Sequence, residues 1–219
     1  MELAPPPHAW LPERELSEEF QRLRLAAMAW IQPYYDGVHL VRSADWLLAL
    51  DPGASEPLII AALTHDMERA VPGGPVLDKR RTAWDDPDYN ARHCERSVVV
   101  VCEWLREQGA SETFVEGVAV PIREHEFGGS PEGDLAQAAD SLSWLDVNAG
   151  LAATWVARGE CDVDKAAAKL DWMLDRIRVE RAYPLARELH EAAQRQLRET
   201  VALNAGLHGS HPAGRDVAR

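Results

Sequence analysis

Residues 58–70 read LIIAALTHDMERA, an apolar helix-like run that ends on an adjacent histidine and aspartate, His65 and Asp66. A helix this apolar is buried in a larger body, and it carries two ionisable side chains in with it. Burying such a pair is costly unless something compensates, and a bound cation is one of the few groups that can. What the chain folds into therefore depends on whether further cation ligands converge on residues 65 and 66.

The rest of the sequence supplies helices and little else. Phe20, Leu23, Leu25, Met28 and Trp30 lie near helical spacing, and Leu40, Val41, Ala44, Leu47 and Leu48 form a second stripe. Helices are expected over about 13–32, 37–50, 58–69, 88–108, 111–124, 135–156, 163–181 and 184–203, the sixth with Gly150 as its point of weakness. Ser55, after the turn DPGASEP, is placed to cap the helix that follows. Residues 71–90 are too broken by Gly and Pro for much regular structure. No stretch alternates for long, so strands have little support. The expectation is an all-α, single-domain helical bundle over 13–204. A flexible lead-in precedes it over 1–12, with Pro5, Pro6 and Pro7, and a disordered tail follows over 205–219. No internal repeat is visible.

Composition removes several function classes. The formal charge of −13 has the wrong sign for gripping a phosphate backbone, so no nucleic-acid partner is expected. No apolar run reaches the ~20 residues of a membrane helix. The opening MELAPPPHAWLPERE has neither a basic leader nor an apolar core. Cys94, Cys102 and Cys161 are an odd, sparse set that suits a reducing compartment. The expected location is cytoplasmic.

Residues with metal-ligand chemistry fall where helices begin, end or face the core: His39, His65, Asp66, His93, His125 and Asp140. Imidazole nitrogens and carboxylate oxygens without a thiolate suit a catalytic divalent ion, such as iron, manganese, zinc, cobalt or nickel. Adjacent helical side chains point roughly 100° apart, so His65 and Asp66 share an ion easily only at a helix end, which HDMER supplies. His8, His190, His208 and His211 have no such company.

In this order the ligands resemble those of the HD-domain superfamily of metal-dependent hydrolases. HLVRSADWLLAL resembles its first motif helix, AALTHDMER its second and AADSLSWLD its last. ARHCERSVVVV and IREHEFGG resemble the segments that bring a third and a fourth histidine in the dinuclear branch. The set is similar to that of small bacterial HD enzymes that cut diadenosine tetraphosphate, and the resemblance covers about 37–150. It implies that His39, His65, Asp66 and Asp140 hold one metal and that Asp66 bridges to a second on His93 and His125. It also implies a metal-activated hydroxide attacking a nucleotide or other small phosphoester, with Asp66 and Arg69 in the catalytic machinery. Iron, manganese, cobalt or nickel would serve, as one ion or two.

Alternatives remain at this level. With a single metal, His93 and His125 become groups around the site or contacts to substrate. The family often continues HDxGK, whereas this chain has Glu68 and Arg69 there. Arg69 either meets a phosphate or caps its helix. Lys79, Arg80 and Arg81 either bind substrate or form a solvated loop, and Trp84 and Tyr89 either stack on a ring or pack that loop down. Glu124 and Glu126 either orient His125 or face solvent. Tyr35 and Asp36, just before the first histidine, parallel the oxygen-activating HD enzymes. A di-iron oxygenase cleaving a C–C, C–P or C–N bond is therefore the second functional expectation, and a non-catalytic binding module the third. The expected partner is a small phosphorylated molecule, and exposed apolar positions on the C-terminal helices would allow a homodimer.

Overall fold

Nine α-helices and two short 3-10 turns form the regular structure of the described residues, with no strand among them. The structure is a computed structural model and describes residues 4–9, 11 and 13–209. In chain order the helices are α1 (Glu18–Ile31), α2 (Gly37–Leu50), α3 (Glu56–Thr64), α4 (Pro87–Glu107), α5 (Glu112–Glu124), α6 (Pro131–Val147), α7 (Ala149–Ala157), α8 (Val163–Asp175) and α9 (Tyr183–Gly209). The 3-10 turns are Met67–Ala70 and Glu180–Ala182. No helix among the described residues is long and apolar enough to cross a membrane.

The helix starts follow from short polar side chains. Ser17, Ser55, Asp86, Ser111, Ser130 and Asp162 each accept a hydrogen bond from a backbone N–H of the first turn they precede. Pro57, Pro87 and Pro131 sit in those first turns, where the missing N–H costs nothing.

Two helices are buried on every side. In α3 every residue from Leu58 to Thr64 is buried, as the apolar run requires. In α6 burial is continuous from Ala136 to Leu145, although this stretch includes Gln137, Asp140, Ser141 and Ser143. Helix α2 packs along α6 and α3, and α5 closes against α3, α4 and α6. This body holds the larger hydrophobic core, from Phe20 and Leu23 through Trp46, Leu58 and Ile60 to Leu142. A second core lies where α7, α8 and α9 meet the end of α6, around Trp144, Leu145, Leu170, Met173 and Leu197.

Several boundaries differ from expectation: α1 begins at Glu18 and not near 13, α3 ends at Thr64 and gives way to a 3-10 turn where a helix to about 69 is expected, and α6 begins at Pro131 and not 135. The predicted helix over 135–156 is two helices, and the break falls at Asn148, not Gly150. Asn148 leaves helical geometry (φ −103°, ψ 7°) and donates from Nδ2 to Asp36 Oδ2 at 3.2 Å, a side-chain bond that competes with the helix. Helix α8 stops at Asp175, short of residue 181. Helix α9 runs on to Gly209, into the segment expected to be a disordered tail; residues 210–219 of that segment lie outside the described ones. Of the expected lead-in, 4–9 and 11 are described, and there His8 Nδ1 lies 3.5 Å from Asp45 Oδ2.

Candidate metal centre

The adjacent His65 and Asp66 both face inward because α3 ends at Thr64. His65 is its C-cap, and Asp66, at φ −101° and ψ 3°, turns the chain into the 3-10 segment. A continuous α-helix would have splayed the two side chains. His39 enters from the first turn of α2, His93 from α4, His125 from the C-cap of α5 and Asp140 from the middle of α6. All six expected ligands meet in one cluster. His39, His65 and Asp140 group together, as do His65, Asp66 and His125, and as do His93, His125 and Glu126, with the ligand atoms of each group within 4.8 Å of one another.

The four imidazoles share one orientation. His39 Nδ1 lies 2.8 Å from Ser143 Oγ, whose hydroxyl donates to the His39 carbonyl. His65 Nδ1 bonds the Ala62 carbonyl at 3.0 Å, and His125 Nδ1 the Ile122 carbonyl at 2.6 Å. His93 Nδ1 bonds Glu68 Oε1 at 2.8 Å. Each ring thus has its outer nitrogen tied to an oxygen and presents Nε2 to the cluster, which is how second partners orient imidazoles around a metal.

The inward nitrogens meet carboxylates or one another: His39 Nε2 lies 3.0 Å from Asp140 Oδ1 and His93 Nε2 lies 2.9 Å from Asp66 Oδ1. His65 Nε2 is buried and accepts or donates no hydrogen bond, with Asp140 Oδ1 at 3.5 Å. His93 Nε2 and His125 Nε2 stand 3.2 Å apart. Two bare lone pairs at that distance repel unless a proton or a cation lies between them. Two nitrogens each ~2.1 Å from one ion at a tetrahedral angle stand about 3.4 Å apart. The donor set and its spacing fit a divalent transition metal, with room in three overlapping groups for more than one ion.

The carboxylates divide their oxygens between this cluster and two arginines. Asp140 Oδ1 is 3.0 Å from His39 Nε2, while its Oδ2 accepts from Arg176. The same guanidinium also pairs with Glu126, and its Nε donates to Ser141 Oγ at 2.8 Å. Asp66 Oδ1 is 2.9 Å from His93 Nε2, and its Oδ2 meets Arg69 Nε at 3.0 Å. Arg69 also donates to Tyr89 Oη at 2.9 Å. Its Nη2 lies 3.3 Å from His93 Nε2, and among the described residues its guanidinium meets no helix-terminal carbonyl, so it does not cap a helix there.

These contacts set the protonation balance. Burial works against the charged forms of Asp66 and Asp140, but the adjacent arginines and histidines hold both carboxyls well below the usual range. Burial likewise opposes ionisation of Glu126, and Arg176 still pulls it down to about 2. Burial would depress His65, yet Asp140 and Asp66 raise it to about 9; burial and the nearby His65 lower His125 to about 4.

Glu126 is the residue that sequence reasoning left undecided. It is 8% exposed and turns into the cluster, because Gly128, at φ +66°, closes the end of α5 beneath it. Glu68 is likewise buried against His93 and does not stand as loose negative charge. Arg176 carried no signal in the sequence beyond its place near the end of α8.

A pocket of about 420 Å³ opens over the cluster. It is lined by Asp66, Arg69, Glu126 and Asp140, by the loop over 71–77, and by Trp144, Trp155, Lys169 and Trp172. Of the expected basic triplet, Lys79 lines the pocket and pairs with Glu160 at 2.8 Å. Arg80 is turned away onto the Gly159 carbonyl, and the Arg81 side chain is 89% exposed. Neither belongs to the pocket wall.

No family model matches the chain, and no curated protein matches it either. Among solved structures, the crystal structure of Bacillus subtilis YpgQ is similar, with a TM-score of 0.59 at 22% identity, over 90% of this chain and 99% of that one. At this identity the likeness is one of fold.

Proposed function

We propose that this chain is an HD-type, metal-dependent phosphohydrolase acting on a nucleotide or another small phosphoester. The observation that carries the reading is the orientation of the four imidazoles, each tied at Nδ1 so that Nε2 faces Asp66, Asp140 and Glu126. His39, His65 and Asp140 would hold one ion and His93, His125 and Glu126 another, with Asp66 between them. Divalent ions held there supply Lewis acidity and a water that ionises near neutral pH. Arg69, fixed by Asp66 and Tyr89 in the pocket lining, presents remaining N–H groups to a phosphoryl oxygen. The pocket wall orients the ester and excludes bulk water.

Asp36, buried at 9% exposure, and Tyr35 line the same pocket. That placement favours, as a second reading, a di-iron oxygenase on the same ligands. One experiment separates the two. Phosphate release is measured over a panel of nucleotides, dinucleoside polyphosphates and simple phosphoesters with manganese, cobalt or iron(II), beside Asp66→Ala. Turnover that vanishes in the variant supports the hydrolase. No release with any metal, together with oxygen uptake by the iron-loaded protein, would replace it with the oxygenase.

A further inference from the structure

The pocket is also lined by residues far apart in sequence: Trp84 from the loop before α4, Trp144 from α6, Trp155 from α7, and Lys169 and Trp172 from α8, with the Arg176 guanidinium 4.5 Å from the Trp172 ring centroid. The Lys169 ammonium lies 4.1 Å from the ring centroid of Trp172, 5.2 Å from that of Trp144 and 5.7 Å from that of Trp84. These are cation–π distances. Among the described residues no carboxylate lies within ion-pairing distance of Lys169. Lys79, in the same pocket, differs: it sits 5.0 Å from the Trp155 ring centroid, but its charge is met by Glu160. An ammonium held on ring faces in a pocket, with no carboxylate paired to it directly, leaves a place for an anion.

The tryptophans have two roles. Trp84 and Trp144 are buried and act as backing, and Trp84 Nε1 is spent on the Lys165 carbonyl. Trp155 and Trp172 are only partly buried and give their remaining surface to the cavity. Trp155 stacks on Trp84 at 5.6 Å and leans on Trp144 at 5.7 Å, so its ring is held in one plane. A rigid indole face beside such an ammonium is complementary to a flat ring bearing negative charge.

We propose that Lys169, together with the faces of Trp155 and Trp172, is the specificity-determining subsite of this pocket, taking a flat ring that carries a phosphate. The proposal rests on the pocket binding a phosphorylated small molecule; it adds the ring and names the residues that read it. Charge around Lys169 agrees with this role. Burial lowers the amine to about 7, Glu126 and Asp140 hold it up, and Arg176 and Arg69 push it down. An anion entering the cleft favours its charged form.

The test uses the full chain in manganese buffer, titrated calorimetrically with phenylphosphonate and methylphosphonate, whose C–P bonds are inert to ester hydrolysis. The native protein should bind phenylphosphonate about tenfold more tightly than methylphosphonate, the equivalent of one good ring contact. Lys169→Met should weaken both ligands about tenfold and Lys169→Arg restore them, whereas Trp155→Leu should erase the preference and leave methylphosphonate unchanged. Equal affinities in the native chain, no binding of either ligand, or affinities untouched by Lys169→Met would overturn the subsite. Failure of the hydrolase reading shows differently, as absent ester turnover while the phenyl preference persists.

Discussion

In the helices that hold the ligand cluster, polar side chains are buried and matched to one another: His39 to Ser143 and Asp140, His93 to Glu68 and Asp66, Arg176 to Asp140 and Glu126. Elsewhere in the same pocket, Lys169 rests on three tryptophan rings and pairs directly with no carboxylate among the described residues, although Glu126 and Asp140 act on its charge from farther off. The first region is tuned for one geometry, since each donor has one acceptor and a lost partner leaves a buried charge. The second, on the proposed reading, is tuned for shape and sign, because ring faces beside an ammonium suit a ligand that is flat and anionic. The two regions meet at Trp172, which has the Arg176 guanidinium 4.5 Å from its ring centroid, yet on that reading substitutions in them should fail in different ways.

The sharpest break is Asp66→Ala. It removes the carboxylate between the two histidine groups, so metal-to-protein stoichiometry should fall to background, a loss larger than the ~10–100-fold typical of an outer partner. Far-UV circular dichroism should stay helical, because Asp66 lies in a turn and not in the core. Undiminished stoichiometry would deny Asp66 its place between the groups.

Arg176→Met comes next and is read in stability. The substitution strands Asp140 and Glu126 as buried charges, and loss of one partner from such a pair costs about 3–5 kcal/mol. Urea unfolding of the metal-free protein should show that loss. Added manganese should recover part of it, since a cation bound only by the folded state stabilises it. A midpoint that manganese does not move would separate Arg176 from the metal cluster.

Glu68→Gln keeps the shape and removes the charge behind His93. Metal affinity, measured by competition with a chelator, should fall about 10–100-fold. The tryptophan wall should not respond, and any change in phenylphosphonate preference would blur the division between the two sides.

A pH series on the metal-free protein tests His65 directly. Its folded-state pKa is raised to about 9, against an unfolded value near 6.5, so its contribution is complete below about 6.5 and is lost as the pH rises through about 9. The urea midpoint of the native chain should therefore fall over that window relative to His65→Gln. Parallel curves would contradict the pairing with Asp140. The smallest effect belongs to Arg81→Ala, within about 0.5 kcal/mol and without change in phosphonate binding, because this side chain lies in solvent with Asp78 only at 3.9 Å.

Much of this was legible in the chain. The all-helical class followed from period-3.6 apolar stripes and Pro–Gly punctuation, and α2 and α5 lie close to where those signals put them, while α3 stops at Thr64, short of its expected end. All six residues chosen for their chemistry converge, because His, Asp and helix ends carry local signals. Glu126 and Arg176 were not legible in the same way. A glutamate beside a loop is usually solvated, and its inward turn depends on where α5 stops and how α8 lies against α6.

The helices, the buried α3 run and the histidines and aspartates that could hold a metal were readable in the chain, since these rest on periodicity and on side-chain chemistry within a few residues. Only the tertiary structure decided which nitrogen each imidazole presents, which carboxylates Arg176 claims, and that three tryptophans from separate segments surround Lys169. Those outcomes depend on distances across helices such as α4, α6 and α8, which no local spacing in the chain encodes.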